Sequence, residues 1–368
     1  MTPLGPISAE DAFIFRITVR NVPNPEERSA DALKENDSHR ETFQSDSHYS
    51  LNRILSSIFI FSLAGVILYA FATFASDYHR TLHAFSLFPM GRLGLVLSLV
   101  TVGWLIRGWR FHYYLLKVEE DVPFIYSIMA FLAGFALTGT PGKVGEAMKG
   151  VFLKRDYGVS VTRVVGIVVV ERLMDLFAIL LLGSFSLLIF EGWRNLFLGL
   201  AGIVIISGMF LCMENIYRPV LEWMSRLPIV SWIAVKTLGI LLSAKDLMKP
   251  RIFIIGMFVS VIAWGMESVS LYIVMKGFEL PGTLSEANFV YCFSTILGAI
   301  SMLPGGIGGT EAAMMALFNY LGISYSNGLP AVLLIRVCTL WYAIVVGVLV
   351  SVYLLSFRKK RLPSGCTP

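Results

Sequence analysis

Residues 252–275 read IFIIGMFVSVIAWGMESVSLYIVM, and this stretch decides the fold class of the chain. It is almost continuously apolar and long enough for a helix to cross a bilayer, which takes about 20 residues. Residues 54–75 form a second run of this kind. A strand of a membrane β-barrel would instead alternate apolar and polar residues at a period of two. The sequence therefore predicts an all-α, polytopic membrane protein.

The composition of the whole chain supports this prediction. Hydrophobic residues make up 56% of its 368 residues and charged residues 15%, and the mean hydropathy is +0.71. A soluble domain has a charged fraction of about 25%, so a water-soluble fold is excluded. The four cysteines are scattered with no CxxC spacing, and no nucleotide-binding, metal-binding or nucleophile motif is present. We therefore expect no cofactor, no metal ion, no catalytic residue and no nucleic-acid partner.

Apolar runs of spanning length predict about six spanning helices, at 54–75, 93–113, 164–190, 196–213, 252–275 and 331–357. Two further runs, 124–137 and 289–303, are only about 14 or 15 residues long. Each ends in a turn rich in proline and glycine, and a second short amphipathic piece follows. Runs of this length are typical of re-entrant segments, so we predict two re-entrant helical hairpins.

Basic residues predict the orientation, because lysine and arginine are enriched in short cytoplasmic loops. If each hairpin returns to the side it entered, the basic segments 154–163, 218–251 and 358–361 all face the same side. We therefore expect a protein of the cell membrane with both termini in the cytoplasm. The expected divisions are a polar, mostly disordered tail (1–53), a membrane domain (54–357), an interfacial helical segment inside that domain (214–251) and a basic tail (358–368).

The two hairpin tips carry matching residues. The first tip has Pro141, Gly142 and Gly145 before Glu146, and the second has Pro304, Gly305, Gly306, Gly308 and Gly309 before Glu311. Arg172 follows the first glutamate by 26 residues, and Arg336 follows the second by 25. In the predicted topology the helices before the two tips run in opposite directions. The sequence thus predicts two inverted repeats, at about 91–190 and 252–357.

Broken helices of this kind have a functional interpretation. Irregular backbone at membrane depth is tolerated only where it is buried in protein or lines a wet cavity. Inverted repeats whose broken helices meet near the midplane are typical of alternating-access transporters. The alternative is that proline and glycine only kink the helices for packing.

Charged residues inside or beside the predicted spans are the candidate substrate-binding residues. A charge at the centre of a spanning helix costs at least about 2.5 kcal/mol, so such residues are expected to pair and to face the interior of the bundle. Arg172 can pair with Asp175 one turn away, and we expect Arg336 to pair with Glu311 or Glu267. Arg107 and Arg110 lie near the end of a span, and each could either snorkel to lipid headgroups or bind the substrate. The full candidate set is Lys143, Glu146, Glu171, Arg172, Asp175, Glu267, Glu311 and Arg336.

Four stretches in this order resemble the lysylphosphatidylglycerol synthase transmembrane-region family. They are TPGKVGE at 140–146, ERLMD at 171–175, LPGGIGGTE at 303–311, and Arg336. The resemblance covers roughly 54–357 and implies a membrane domain with re-entrant hairpins that moves lipids or lipid-linked groups between leaflets. In two-domain members a soluble aminoacyltransferase follows the membrane region. Because this chain ends at Pro368, we expect a stand-alone member without that domain.

The expected function is therefore a flippase-like transporter of an anionic or zwitterionic lipid headgroup. Arg172 and Arg336 would bind phosphate, Glu146 and Glu311 would accept amine groups or balance the arginines, and the hairpins would gate opposite sides. One alternative is a membrane-embedded transferase of the polyprenyl-phosphate glycosyl type, with Glu171 or Asp175 as base. Another is a non-catalytic membrane subunit of a separately encoded lipid synthase. The expected partners are membrane phospholipids or a lipid-linked substrate.

Overall fold

The computed structural model describes residues 85–138, 148–186, 194–224, 231–301 and 303–356, and the regular structure of these residues is entirely helical. The helices are α1 (Met90–Lys117), α2 (Phe124–Ala133), α3 (Met148–Tyr157), α4 (Val161–Ser184), α5 (Arg194–Cys212), α6 (Glu214–Met224), α7 (Ser231–Leu247), α8 (Pro250–Gly277), α9 (Leu284–Ile300), α10 (Gly309–Tyr320), α11 (Tyr325–Arg336) and α12 (Tyr342–Ser356). Short 3₁₀ turns occupy Gly134–Leu137 and Pro304–Gly306, and a π turn at Val337–Trp341 joins α11 to α12.

The prediction of an all-α polytopic membrane protein is confirmed. Among the described helices, α1, α8 and the continuous 32-residue helix Tyr325–Ser356 are long and apolar enough to cross a membrane. The predicted span 54–75, the tail 1–53 and the tail 358–368 lie outside the described residues. The predicted domain boundaries therefore stay predictions.

Helices α1 and α8 form an antiparallel pair at the centre of the bundle. At one end Arg92 Nη1 donates to the carbonyl of Lys276 at 2.5 Å. At their crossing, a Cβ added to Gly103 would lie 3.5 Å from the carbonyl oxygen of Ala263. Small residues at a helix crossing let the backbones approach closely and gain packing contacts where lipid offers no hydrophobic driving force.

The backbone shows that the chain contains two copies of one unit. Helices α1 and α8 are both 28 residues long, and each is followed by a glutamate in the left-handed conformation, Glu119 (φ 62°) and Glu279 (φ 57°). A left-handed glycine precedes the last helix of each copy, Gly158 (φ 72°) and Gly322 (φ 78°). Because α1 and α8 run antiparallel, the two copies are inverted relative to each other.

In each copy, two helices fold back on each other after the first long helix. In the second copy, α9 and α10 pack together around the turn at Pro304–Gly306, and a Cβ on Gly298 would overlap Thr310 Oγ1. The tip contacts Arg336 at the end of the 12-residue α11, about 18 Å from the start of that helix. In the first copy, Gly134 packs against the side chain of Lys149, but the tip at 139–147 lies outside the described residues.

Each of these helix pairs also packs against the last helix of the other copy. In the first copy, α2 and its 3₁₀ turn pack against α12, where Gly347 leaves no room for a Cβ beside the backbone of Phe135 and Ala136. In the second copy, α9 packs against α4, and Asn288 Nδ2 donates to the carbonyl of Leu182 at 2.7 Å. The two copies are therefore interlocked rather than side by side.

The segment between the copies, predicted to be helical, forms α6 and α7. Pro219 lies inside α6, Trp223 is exposed, and α7 packs against α4 with Ala244 and Leu247 buried. On the long helices, large apolar side chains face outward. Examples are Ile254, Phe258, Val345, Leu349 and Val352. An outward apolar surface of this kind is what a bilayer requires.

The first prediction concerns orientation. Ser160 and Ser324 are exposed and lie before the last helix of the first and second copy, at opposite ends of the inverted pair. In a background without native cysteines, we expect Ser160→Cys to be labelled by a membrane-impermeant maleimide only from the cytoplasm. We expect Ser324→Cys to be labelled only from outside. Labelling of both from the same side of intact cells would contradict the inverted arrangement in the membrane.

Candidate functional site

A cavity of about 310 Å³ lies where the two copies meet. It combines charged side chains with aromatic rings and with backbone of the second tip. Thr138, the last described residue before the first tip, also lines it. The residues that matter for its chemistry are Arg107, Arg172, Arg336, Asp175, Glu267, Trp104, Trp264, Tyr291, Gly298, Gly305 and Gly306.

An ion pair between the two central helices forms one wall of the cavity. Arg107 Nη2 lies 2.5 Å from Glu267 Oε1, and the two residues are only 7% and 4% exposed. The guanidinium also lies 4.5 Å from the centre of the Trp264 ring. The hydroxyl of Tyr291 donates to the other carboxylate oxygen of Glu267 at 2.6 Å. Burial excludes the interpretation of Arg107 as a snorkelling residue.

These two charges occupy corresponding positions in the two copies. Arg107 and Glu267 each lie 17 residues after the first residue of their helix, and a tryptophan, Trp104 or Trp264, precedes each by three. The two helices therefore carry the patterns Trp-x-x-Arg and Trp-x-x-Glu at the same place. A residue near the symmetry axis of an inverted repeat meets its own counterpart, and here the counterparts have opposite charge.

The second tip is held together by the arginine and glutamate that the sequence singled out. Arg336 Nε donates to Glu311 Oε1 at 2.6 Å, and Arg336 Nη2 donates to the carbonyl of Gly305 at 2.8 Å. The other oxygen of Glu311 accepts from the amide of Gly308 at 2.7 Å. Of the two acids expected as partners of Arg336, the structure thus selects Glu311.

Left-handed glycines shape the same tip. Gly305, Gly306 and Gly308 have φ of 62°, 68° and 84°, a region that side chains with a Cβ rarely adopt. At Gly306 a Cβ would also lie 2.8 Å from Thr310 Oγ1 and 3.3 Å from the carbonyl oxygen of Gly298. Both conformation and space therefore require glycine at this position.

A second group of buried charges lies beside the cavity and ties the first helix pair to the bundle. Lys149 Nζ is 3.0 Å from Glu171 Oε2, and Arg110 Nη1 is 2.9 Å from Asp175 Oδ1. Lys149, in the first turn of α3, is fully buried beside the rings of Phe111 and Phe131. Arg110 is 1% exposed, so it does not snorkel either.

The structure brings most of the described candidates together. Arg172, Asp175, Glu267 and Arg336 line the cavity, and Arg172 pairs with Asp175 at 3.5 Å as expected. Glu171 instead faces Lys149 behind the cavity. The candidates Lys143 and Glu146 and the tip residues Pro141, Gly142 and Gly145 lie outside the described residues.

Sequence reasoning left Arg107 open between snorkelling and substrate binding, and it missed Trp104, Trp264 and Tyr291 as cavity residues. The repeated Trp-x-x-charge pattern is the signal that would have found Arg107 and the two tryptophans. Chemically, the cavity offers guanidinium groups, which match the geometry of phosphate, and carboxylates beside them. In the part of the chain that the structure describes, no group of three or more histidine, cysteine or acidic residues is suited to a metal ion.

Comparison with known proteins agrees with this architecture. The model of the family described as "Lysylphosphatidylglycerol synthase TM region" matches residues 53–347. The chain belongs to this family. Relatives include the UPF0104 membrane protein PH1989 of Pyrococcus horikoshii, 23% identical over an alignment of 299 residues, and the match covers 74% of this chain and 88% of the relative.

Two further relatives come from Methanothermobacter thermautotrophicus, and both are named UPF0104 membrane proteins. One is 20% identical over 328 residues, covering 80% of this chain and 92% of its own length. The other is 26% identical over 116 residues, and the match spans 32% of this chain and only 34% of the relative. Family membership supports a membrane protein.

The second prediction concerns the ion pair at the tip. Arg336→Ala is expected to destabilise the protein by about 3–5 kcal/mol, because Glu311 remains buried without its cation. Arg336→Lys should recover only part of this loss, since a single ammonium cannot reproduce the fork that contacts both Glu311 and Gly305. Thermal unfolding of the purified protein in detergent measures both effects.

The exposed Arg251 at the start of α8 supplies the control, and Arg251→Ala should change stability by less than about 0.5 kcal/mol. The double variant Arg336→Ala with Glu311→Ala should be less destabilised than the sum of the two single variants. If the stability losses of the two single variants add up to the loss of the double variant, Arg336 and Glu311 are not coupled.

The third prediction compares two left-handed glycines. A Cβ at Gly322 (φ 78°) meets nothing within 4 Å, whereas one at Gly306 (φ 68°) meets Thr310 and Gly298. Gly322→Ala is therefore expected to cost about 1 kcal/mol from backbone strain alone, and Gly306→Ala clearly more. Thermal unfolding of the two variants gives the difference, and equal losses would mean that the tip is not closely packed.

Proposed function

We propose that this protein is a flippase-like transporter that moves a phospholipid or lipid-linked headgroup between the leaflets of the cell membrane. The observation that carries the proposal is the cavity of about 310 Å³ where the two inverted copies meet, with Arg107, Arg172 and Arg336 among its lining residues. Guanidinium groups buried in an apolar bundle are costly unless they have a function or a partner. Phosphate is the lipid group that they recognise best.

The position of the cavity fits a route across the membrane. Arg107 and Glu267 lie well inside their 28-residue helices, so a headgroup bound there is far from both ends of the bundle. A polar headgroup cannot cross the hydrocarbon unaided, because its polar groups would lose their hydrogen bonds to water. A cavity with charged walls replaces those interactions part-way across.

The two folded-back helix pairs are the proposed gates. We propose that both are re-entrant, the first entering from the cytoplasm and the second from outside, with both termini cytoplasmic. The second tip contributes Gly305 and Gly306 to the cavity wall, and Thr138 lines the wall where the first tip begins. Movement of one tip would open the cavity to one side while the other stays closed, as alternating access requires.

The carboxylates that a transferase would use as bases are engaged in ion pairs. Glu171 accepts from Lys149 at 3.0 Å, and Asp175 accepts from Arg110 at 2.9 Å. A carboxylate that already accepts such bonds is a poor general base, since its charge is stabilised before any proton is taken. This favours transport over group transfer.

The fourth prediction is the direct test of this function. In liposomes containing the purified chain, phospholipids labelled with nitrobenzoxadiazole on an acyl chain should move between leaflets, so that added dithionite bleaches more than the outer half. Protein-free liposomes supply the baseline, and mass spectrometry of the recovered lipids should find them chemically unchanged. A modified lipid would support the transferase, and bleaching no greater than the baseline would reject transport by the chain alone.

A further inference from the structure

We infer that Glu267, Trp264 and Tyr291 form a binding site for the ammonium group of a lipid headgroup, and that Arg107 occupies this site as an internal stand-in for that group. The inference rests on the proposed function, because it names the class of headgroup that the cavity accepts. It assigns a role to the ion pair at the meeting point of the two copies.

The three residues have the chemistry of a cation site. Glu267 supplies a carboxylate that is buried, and the hydroxyl of Tyr291 fixes one of its oxygens at 2.6 Å. The face of the Trp264 ring lies 4.5 Å from the cation that now sits there. A carboxylate beside an aromatic face is a general solution for binding ammonium groups, because the ring quadrupole adds to the ion pair.

Two buried donors indicate that the pair is not only structural. Arg107 Nε and Trp264 Nε1 have no hydrogen-bond acceptor among the described residues, although both side chains line the cavity. Buried polar groups are normally paired, and exceptions call for an explanation such as a ligand. Once Arg107 leaves Glu267, its Nε can meet an acceptor-rich group such as a phosphate in the cavity.

A single exchange then serves both ends of a zwitterionic headgroup. When the ammonium replaces the guanidinium beside Glu267, Arg107 is released into the same cavity and can bind the phosphate of that headgroup. The protein exchanges one internal ion pair for two pairs with the ligand. Both charges of the headgroup then have a partner, and so do Arg107 and Glu267.

The balance of the central pair favours this class of headgroup over a purely anionic one. Arg107 and Glu267 neutralise each other in a buried place. A purely anionic headgroup that drew Arg107 away would leave Glu267 buried without its cation. A headgroup with one phosphate and one ammonium supplies a partner to each of them. Primary ammonium fits best, since its N–H groups can donate to the carboxylate.

The test compares two lipids that differ only at the nitrogen. Phosphatidylethanolamine labelled on an acyl chain carries a primary ammonium, and its N-acetyl derivative keeps the phosphate but loses the positive charge. In liposomes, the wild-type chain should move the first lipid at least about tenfold faster, as expected for one charge-assisted contact. Equal rates for the two lipids would overturn the inference and leave the proposed function standing.

Variants show which residues make the protein prefer the ammonium lipid. Glu267→Gln should remove the preference by slowing the ammonium lipid, and Tyr291→Phe, which keeps the ion pair, should reduce it. Glu279→Gln is the matched control, because Glu279 is an exposed residue beyond the end of α8 and should keep the wild-type ratio. An unchanged ratio in both Tyr291→Phe and a folded Glu267→Gln would place the discrimination elsewhere and overturn the inference.

A binding measurement separates this site from transport itself. In detergent, phosphoethanolamine should raise the unfolding temperature of the wild-type protein more than N-acetylphosphoethanolamine does, and Glu267→Gln should abolish the difference. If this holds while no lipid moves in liposomes, the ammonium site stands and the proposed transport is wrong. If the two compounds stabilise the wild type equally, the ammonium site is rejected whatever the transport assay shows.

Discussion

The buried ion pair between Arg107 and Glu267 is the interaction on which the arrangement of this protein depends. It joins the two central helices where the copies meet, at a separation of 2.5 Å. Charges in an apolar bundle are tolerated only when they are paired, so each buried charge fixes the position of another element. The Lys149–Glu171 and Arg336–Glu311 pairs apply the same constraint further from the centre, and each attaches a folded-back helix to the helix that follows it.

Because the two copies are inverted, the residue that each contributes to the central ion pair must differ between them. Corresponding residues on α1 and α8 face each other, so identical charged residues at these positions would repel in a low-dielectric interior. The chain instead has Arg107 in one copy and Glu267 in the other, while the neighbouring tryptophans stay the same.

Hydropathy and motif spacing predicted the helices and the tip pairing, but not the helix ends or the central pair. Helix α9 begins at Leu284 rather than at 289, because the capping box of Thr283 and Glu286 starts it in a polar stretch. An apolar run marks the part of a helix inside the membrane and says nothing of turns beyond it. Arg107 was ambiguous for a different reason: its distance from the end of the span is compatible with snorkelling, and only the tertiary fold brings Glu267 to it.

The packing of each helix pair against the last helix of the other copy has a mechanical consequence. The helix Tyr325–Ser356 holds the second tip through Arg336 and, further along, packs against the first helix pair at Gly347. If the two helix pairs act as the proposed gates, this continuous helix touches both and would transmit a displacement of one to the other. Gates coupled in this way would work against a state in which both are open, and would thereby protect the membrane from leaking ions while a much larger group passes.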